Sequence, residues 1–501
     1  MTAASPPYPA CPVPFNMARH VLTAGTPDPD KTALSLLHPD TSEDWTFAAL
    51  TAAVRGTATG LLGAGLTPGD RVLLRLGNTV DFPLAYLGAL AAGLVPVPTA
   101  AALTAGEVAH IIKGLNPALI LHDPDVPCPD DPRILPLDVV RRFRALPATP
   151  WHMGDPARLG YIVYTSGTAG KPSAVMHAHR AIWARGMMFD GWYGLRPDDR
   201  VLHAGAFNWT YTLGTGLMDP WTQGATALIP APGTAPGDLP ARLKTHDATI
   251  FAAAPGVYRQ MLKDRGKLDL PHLRHGLSAG EKLAEPVRTA WEAATGTAIY
   301  EAYGMSECST FISASPDTPA RDGALGSAQP GRRISLRKDG AEVAVDTPGT
   351  IAVHRSDPGL MLGYLDDPAQ TAARFDGDWF LTGDIGSRDA DGQITYLGRD
   401  DDMMNAGGFR VSPLEVEAAL LPFDDLTAVA AAEVEIKPGA SVIAAFYTSA
   451  APLDADALHR YAETKLARYK QPRLYVHLPQ LPTGANGKVQ RRALAPLYKA
   501  S

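Results

Sequence analysis

Helical runs and short β-rich pieces alternate along most of this chain, and no other feature constrains its fold as much. A helical run at 46–62 precedes a β-rich piece at 71–76, and similar alternation recurs from 157 to 303. Strands separated by helical segments read as parallel sheets covered by helices. From 326 to 396 the pieces shorten between turn residues such as Lys338-Asp339-Gly340 and Asp389-Ala390-Asp391-Gly392. That pattern predicts a small all-β, barrel-like subdomain at about 326–397. After the acidic turn Gly398-Arg399-Asp400-Asp401-Asp402 the text becomes mixed, with a helix at 412–421, a strand-rich stretch at 426–447 and a helix at 455–466. At 501 residues the chain exceeds what one core serves. The expected class is therefore α/β: a large N-terminal domain (1–400) containing the β subdomain, and a small α+β C-terminal domain (401–501).

Charge and composition exclude several functions. The net charge is −7 and no basic excess argues for nucleic acid. Cys11, Cys128 and Cys308 show neither a disulfide framework nor metal-ligand spacing, so a reducing cytoplasm is the expected compartment. Residues 1–19 lack the pattern of a secretory signal. The uncharged stretch 82–103 is long enough to span a bilayer, but Ala and Gly supply much of its apolarity and Pro96 and Pro98 interrupt it. A buried helix running into a buried strand is expected there, with no membrane span.

Behind the apolar run Tyr161-Ile162-Val163 stands Tyr164-Thr165-Ser166-Gly167-Thr168-Ala169-Gly170-Lys171-Pro172. Small hydroxyls, glycines that leave backbone N–H groups uncovered and one ammonium together suit a polyphosphate. The P-loop of NTPases is a near miss, because Thr165 stands where its first Gly belongs and Pro172 follows the Lys. A P-loop ATPase remains the alternative at this point.

The segment Y-T-S-G-T-x-G-x-P, followed by Val175, resembles the phosphate loop of the adenylate-forming enzymes, which include acyl-CoA synthetases, luciferases and peptide-synthetase adenylation domains. Four further segments match that family in order, so the resemblance runs from about Phe47 to Leu494. It implies ATP binding by Thr165, Ser166, Gly167, Thr168, Gly170 and Lys171. Tyr303-Gly304-Met305-Ser306-Glu307 offers an aromatic face, a hydroxyl and a carboxylate within one turn. Adenine stacks on an aromatic ring, and Mg²⁺ takes hard oxygen ligands, commonly one carboxylate beside phosphates. By resemblance these roles fall to Tyr303, Ser306 and Glu307, with Glu307 the metal ligand. Ser278-Ala279-Gly280-Glu281 is similar to the loop along the adenine, although Lys282 replaces the usual Pro. Asp384, after the apolar Trp379-Phe380-Leu381, and Arg399 match the pair that grips the ribose hydroxyls.

The resemblance also makes the C-terminal domain a mobile lid with its hinge at Asp401. Gly407, Gly408, Phe409 and Arg410 would line the coenzyme A tunnel, with the Arg near phosphate. Lys488 falls on the catalytic lysine that bridges the substrate carboxylate and the α-phosphate. One departure matters: Ser173 stands where the family loop has a lysine, and Lys171 or Arg180 is the expected substitute for that charge.

The expected function is activation of a small-molecule carboxylic acid by MgATP to an acyl-adenylate, then transfer to coenzyme A with release of AMP. No fused carrier domain follows Leu494, which favours free coenzyme A; a carrier-protein thiol, a luciferase-type oxidation and a catalytically impaired relative are the alternatives. The oligomeric state is open, a homodimer included. The segment 203–211 and Asp219-Pro220-Trp221 resemble short- and medium-chain acyl-CoA synthetases. Trp209, Tyr211 and Gly214 are candidate acyl-pocket residues. Relatives acting on acetate carry a Trp where this chain has Gly304, so a larger acid, aliphatic or aryl, is expected.

Overall fold

A computed structural model of the chain describes residues 8–165, 173–263, 265–406, 409–437, 440–483 and 489–498. Among these, six strands pair in parallel at the centre of the molecule, in the order Ile299–Met305, His275–Ala279, Ile250–Ala253, Arg200–His203, Thr226–Pro230 and Thr32–Leu37. Ile250–Ala253 and His275–Ala279 are buried at every position. Continuous apolar runs are what a sheet covered on both faces requires. Antiparallel strands close both ends of this sheet: Ser309–Ser313 pairs with Ile299–Met305, and Ser42–Thr46 with Thr32–Leu37.

A second parallel sheet holds Val95–Pro98, Arg71–Arg75, Leu119–His122 and Ile134–Pro136. Val95–Pro98 is its edge strand, which is why Pro96 and Pro98 are tolerated. The helix Asp81–Ala91 feeding it is buried along its whole length. The apolar stretch 82–103 is thus a core helix and a core strand, and among the described residues no helix is long and apolar enough to cross a membrane.

The small β unit is a six-stranded antiparallel sheet running from Ile334–Lys338 to Ile394–Arg399. Beyond it lie the hairpin Met404–Ala406 with Phe409–Val411, and a sheet of Ala428–Lys437, Ala440–Thr448 and Leu474–His477. The helices Pro413–Leu420 and Ala455–Lys465 pack on that sheet.

Two local expectations shift. The strand that carries Tyr303 runs on through Met305, and Asp384 lies inside the ten-residue strand Trp379–Arg388, beyond the apolar run expected to end before it. Thr382-Gly383-Asp384 keeps its turn-like character inside that strand: Leu381 and Ile385 pair with Ala352 and Thr350, the three residues between them bulge opposite Ile351 with Gly383 at φ +80°, and Asp384 resumes pairing with Arg399. The local preference survives as a bulge within the strand.

The helix Phe47–Gly63 tests how close its neighbour sits. A Cβ on Gly56 would lie 2.7 Å from the backbone oxygens of Phe143 and Arg144, whereas Gly63 in the same helix faces nothing within 4 Å. Gly56→Ala is expected to destabilise by roughly 1–2 kcal/mol, overpacking outweighing the better helix propensity of Ala. Gly63→Ala is expected to stabilise by up to about 1 kcal/mol. Urea midpoints moving in the same direction for both variants would contradict the close approach.

Candidate active site

Segments far apart in sequence meet at one carboxylate. The Tyr303 hydroxyl donates to Asp384 Oδ2 at 2.5 Å, across 81 positions of sequence. The Tyr396 hydroxyl lies 3.5 Å from Oδ1, and Arg399 Nη1 lies 3.7 Å from the same oxygen. Asp384 and Arg399 are register partners on antiparallel strands, which explains why the guanidinium reaches the carboxylate. Beneath them the Asp384 N–H donates to Thr382 Oγ1 at 3.1 Å, and that hydroxyl donates to the Ile351 carbonyl at 2.7 Å. Burial, reinforced by the Asp384 carboxylate, pushes the Tyr303 phenol well above its ordinary range, so it stays a neutral donor. Edge-on packing against Phe311, with ring centroids 5.3 Å apart, fixes the ring plane. A carboxylate ringed by hydroxyl donors and a guanidinium can take the two hydrogen bonds of a vicinal diol in their place.

Glu307 follows the same strand and is buried, 8% exposed. The Tyr364 hydroxyl donates to its Oε1 at 2.7 Å, and the Met361 N–H donates to its backbone carbonyl at 2.8 Å. Burial first, then the neighbouring carboxylate, raise the Tyr364 phenol. Ser306 is anchored by its backbone, whose carbonyl accepts from His177 Nε2 at 2.7 Å. The Glu307 carboxylate is the kind of hard oxygen ligand that suits Mg²⁺ beside phosphates.

The phosphate-loop residues Ser166, Gly167, Thr168, Gly170 and Lys171 lie outside the described residues, but their flanks are informative. Thr165 and Ser173 are register partners of an antiparallel pair, Leu159–Thr165 with Ser173–Ala178. A P-loop leads from a strand into a helix, so this strand-to-strand setting removes the P-loop alternative. Ser173 Oγ accepts from Gln370 Nε2 at 3.3 Å. Arg180 does not substitute for the missing lysine, because its guanidinium is engaged by the carbonyls of Pro358 and Leu360.

Gly280 adopts φ +98° with the Trp209 ring against it; a Cβ would lie 2.5 Å from that ring. Lys282, the departure in this loop, reaches the buried Glu301 at 3.2 Å. Tyr211 is core, its hydroxyl on the Leu277 carbonyl at 3.0 Å and its ring stacked on Trp192. Gly214 faces the Arg185 guanidinium, which a Cβ would meet at 2.1 Å. At Gly304 a Cβ would lie 2.0 Å from the Ser309 carbonyl oxygen, because Gly304 pairs with Thr310 beside a bulge. The direction read as an open pocket floor is therefore filled by backbone.

Asp401 accepts from Arg399 Nε at 3.0 Å and pairs with Arg492. Gly407, Gly408 and Lys488 lie outside the described residues, and of Phe409 and Arg410 only the backbone, in the strand Phe409–Val411, is described. Tyr364, Tyr396 and His177 were not foreseen. Tyr396 carries a signal after the fact, three positions before Arg399 on the strand that faces Asp384. Tyr364 and His177 reach Glu307 and Ser306 only through tertiary packing.

Comparison with known proteins agrees with this geometry. Residues 23–365 match the AMP-binding enzyme family model. The chain is 31% identical over 465 residues to benzoate–CoA ligase of Thauera aromatica, covering 85% of this chain and 86% of the relative. It is 29% identical to 3-hydroxybenzoate–CoA ligase of Aromatoleum sp. (strain CIB), with 91% and 92% covered. The crystal structure of the anthranilate CoA ligase AuaEII in complex with anthranoyl-AMP superposes with a TM-score of 0.88 at 26% identity, covering 97% of this chain and 98% of that one. A family model spanning most of the chain, over the strands that bring Tyr303 and Glu307 together with the rest of the site, places this protein among the AMP-binding enzymes.

Proposed function

We propose that this protein is an AMP-forming acid–CoA ligase acting on an aryl acid. The observation that carries the reading is the convergence of Tyr303, Tyr396 and Arg399 on Asp384. It is a ribose-and-adenine grip built from an aromatic face and a diol acceptor. The relatives named as benzoate– and hydroxybenzoate–CoA ligases support both the thiol and the acid class.

A carboxylate oxygen is a poor leaving group, and joining it to AMP creates a good one. Attack of the acid on the α-phosphate brings two anions together and builds charge on the equatorial oxygens. Lys488 supplies the cation that offsets both. Tyr303 stacks on the adenine, and Asp384 with Arg399 holds the ribose hydroxyls. The loop from Thr165 to Lys171 cradles the outgoing pyrophosphate, and Glu307 would hold Mg²⁺, which would neutralise phosphate charge there. The thiol of coenzyme A then attacks the acyl carbonyl and AMP departs.

The two half-reactions require different groups at one place, and rotation of residues 401–501 about Asp401 meets that requirement. Support comes from the position of Asp401, directly after the last strand of the six-stranded sheet and tied to Arg399 on one side and Arg492 on the other. Gly407, Gly408, Phe409 and Arg410 then face the incoming coenzyme A.

Two measurements test this reading. Incubation with ATP, coenzyme A and a panel of benzoates is expected to yield AMP and pyrophosphate in step with acyl-CoA; formation of ADP and phosphate would refute it. Lys488→Ala is expected to slow acid-dependent pyrophosphate release by a factor of roughly several hundred, from a loss of ~3–4 kcal/mol, while sparing thiolysis of a supplied acyl-adenylate. Equal loss of both half-reactions would contradict the role given to the lysine.

A further inference from the structure

A cavity of about 20 Å³ adjoins the Tyr303–Glu307 segment, bounded by Tyr86, His177, Arg185, Thr210, Ser306 and Ser309. Ser306 belongs to that segment, and Thr210 lies between two of the acyl-pocket candidates. A space of this size takes one water-sized group and no second ring.

Apolar side chains, Ala181, Leu213 and Met218 among them, make up much of its wall, and two of the polar groups set among them are unsatisfied. Tyr86 Oη and His177 Nδ1 are buried and have no hydrogen-bond partner among the described residues. The tautomer of His177 follows from its neighbour: the Ser306 carbonyl only accepts, so Nε2 carries the hydrogen and Nδ1 presents a bare lone pair. Burial pushes this imidazole down to about 4, so it is neutral near pH 7. The cavity therefore offers one unused acceptor and one unused hydroxyl.

Arg185 adds the charge condition. Its Nε donates to Asp219 Oδ1 at 2.8 Å and its Nη2 to Oδ2 at 2.5 Å, while Nη1 reaches the Ser309 hydroxyl. Arg185 is 6% exposed and Asp219 0% exposed, so the guanidinium is already neutralised by a carboxylate inside the protein. A second anion here would be buried without a partner. A methyl group would leave Tyr86 and His177 unsatisfied, and an ether or carbonyl could not donate to Nδ1. A neutral hydroxyl both donates and accepts.

We propose that this cavity reads a hydroxyl on the acyl group, which donates to His177 Nδ1 and accepts from Tyr86 Oη, so that the enzyme selects a hydroxyaryl acid over its unsubstituted parent. The inference rests on the ligase reading above and narrows its substrate class.

The test is pyrophosphate release by the full chain with ATP, coenzyme A and the three ring isomers of hydroxybenzoate, the matching methylbenzoates and benzoate. At least one hydroxybenzoate is expected to exceed benzoate and its methyl counterpart in kcat/KM by about tenfold or more, since a site built around a hydroxyl rejects analogues that lack it. Tyr86→Phe removes a hydroxyl that has no described partner, so the thermal midpoint is expected to hold while the hydroxyl-to-parent ratio falls by about tenfold. Ser309→Ala, beside the cavity, is expected to lower the same ratio through Arg185. Three results would overturn the inference alone: activity that ignores the hydroxyl, activity confined to acids without one, or a Tyr86→Phe variant whose midpoint moves while its ratio does not, which would mark the cavity as a water site. No pyrophosphate release with any acid would remove the ligase reading, and this inference with it.

Discussion

The Asp384 carboxylate is the point on which the rest of the site depends. It stands where the central parallel sheet and the antiparallel sheet come together, and each contributes groups to it: Tyr303 from the first, Tyr396 and Arg399 from the second. A buried carboxylate needs donors, and here the donors come from both sheets. Its hydrogen bonds therefore fix how the two sheets face each other as well as what the surface between them can bind.

Glu307 repeats the arrangement a few residues further on. It leaves the same parallel strand as Tyr303 and is met by Tyr364, whose short strand Gly363–Tyr364 pairs with Ser173–Ala178 next to the phosphate loop. Tyr364 and Ser173 thereby couple the metal-binding candidate to the loop that would hold the phosphates. Arg180, committed to the carbonyls of Pro358 and Leu360, does not supply the charge absent at Ser173, which leaves Lys171 as the remaining candidate from the sequence.

Close backbone approach shapes the region of the acyl-pocket candidates. Gly280 admits the Trp209 ring, Gly214 admits the Arg185 guanidinium, and Gly304 lies under the Ser309 carbonyl. Each of these glycines is filled against, two by a large side chain and Gly304 by backbone. Ser309 itself takes φ +61°, a conformation L side chains adopt rarely, and from there its hydroxyl meets Arg185. The surroundings over-determine that geometry: Asp219, Tyr193 and Thr215 hold the guanidinium from the other side.

Much of this was legible in the string. Alternation of helical and β-rich text gave the parallel sheets, because hydrophobic period and turn chemistry are local properties. The motif residues Tyr303, Glu307, Asp384 and Arg399 were readable because their chemistry sits within short, ordered segments. Other features were settled only by the tertiary structure. The pairing of Asp384 inside a long strand was hidden, since Thr382-Gly383-Asp384 has turn composition and forms a bulge whose flanks, Leu381 and Ile385, are paired by a strand distant in sequence. Tyr364, Tyr396 and His177 were invisible because each reaches its partner across the fold, and the open floor expected at Gly304 depended on where Ser309 would lie. The sequence determined which chemical groups the chain possesses and the order in which they occur; the packing of sheets against one another decided which of them share a hydrogen bond, because distance in space is set by pairing register and burial, and neither is encoded at the position of any single residue.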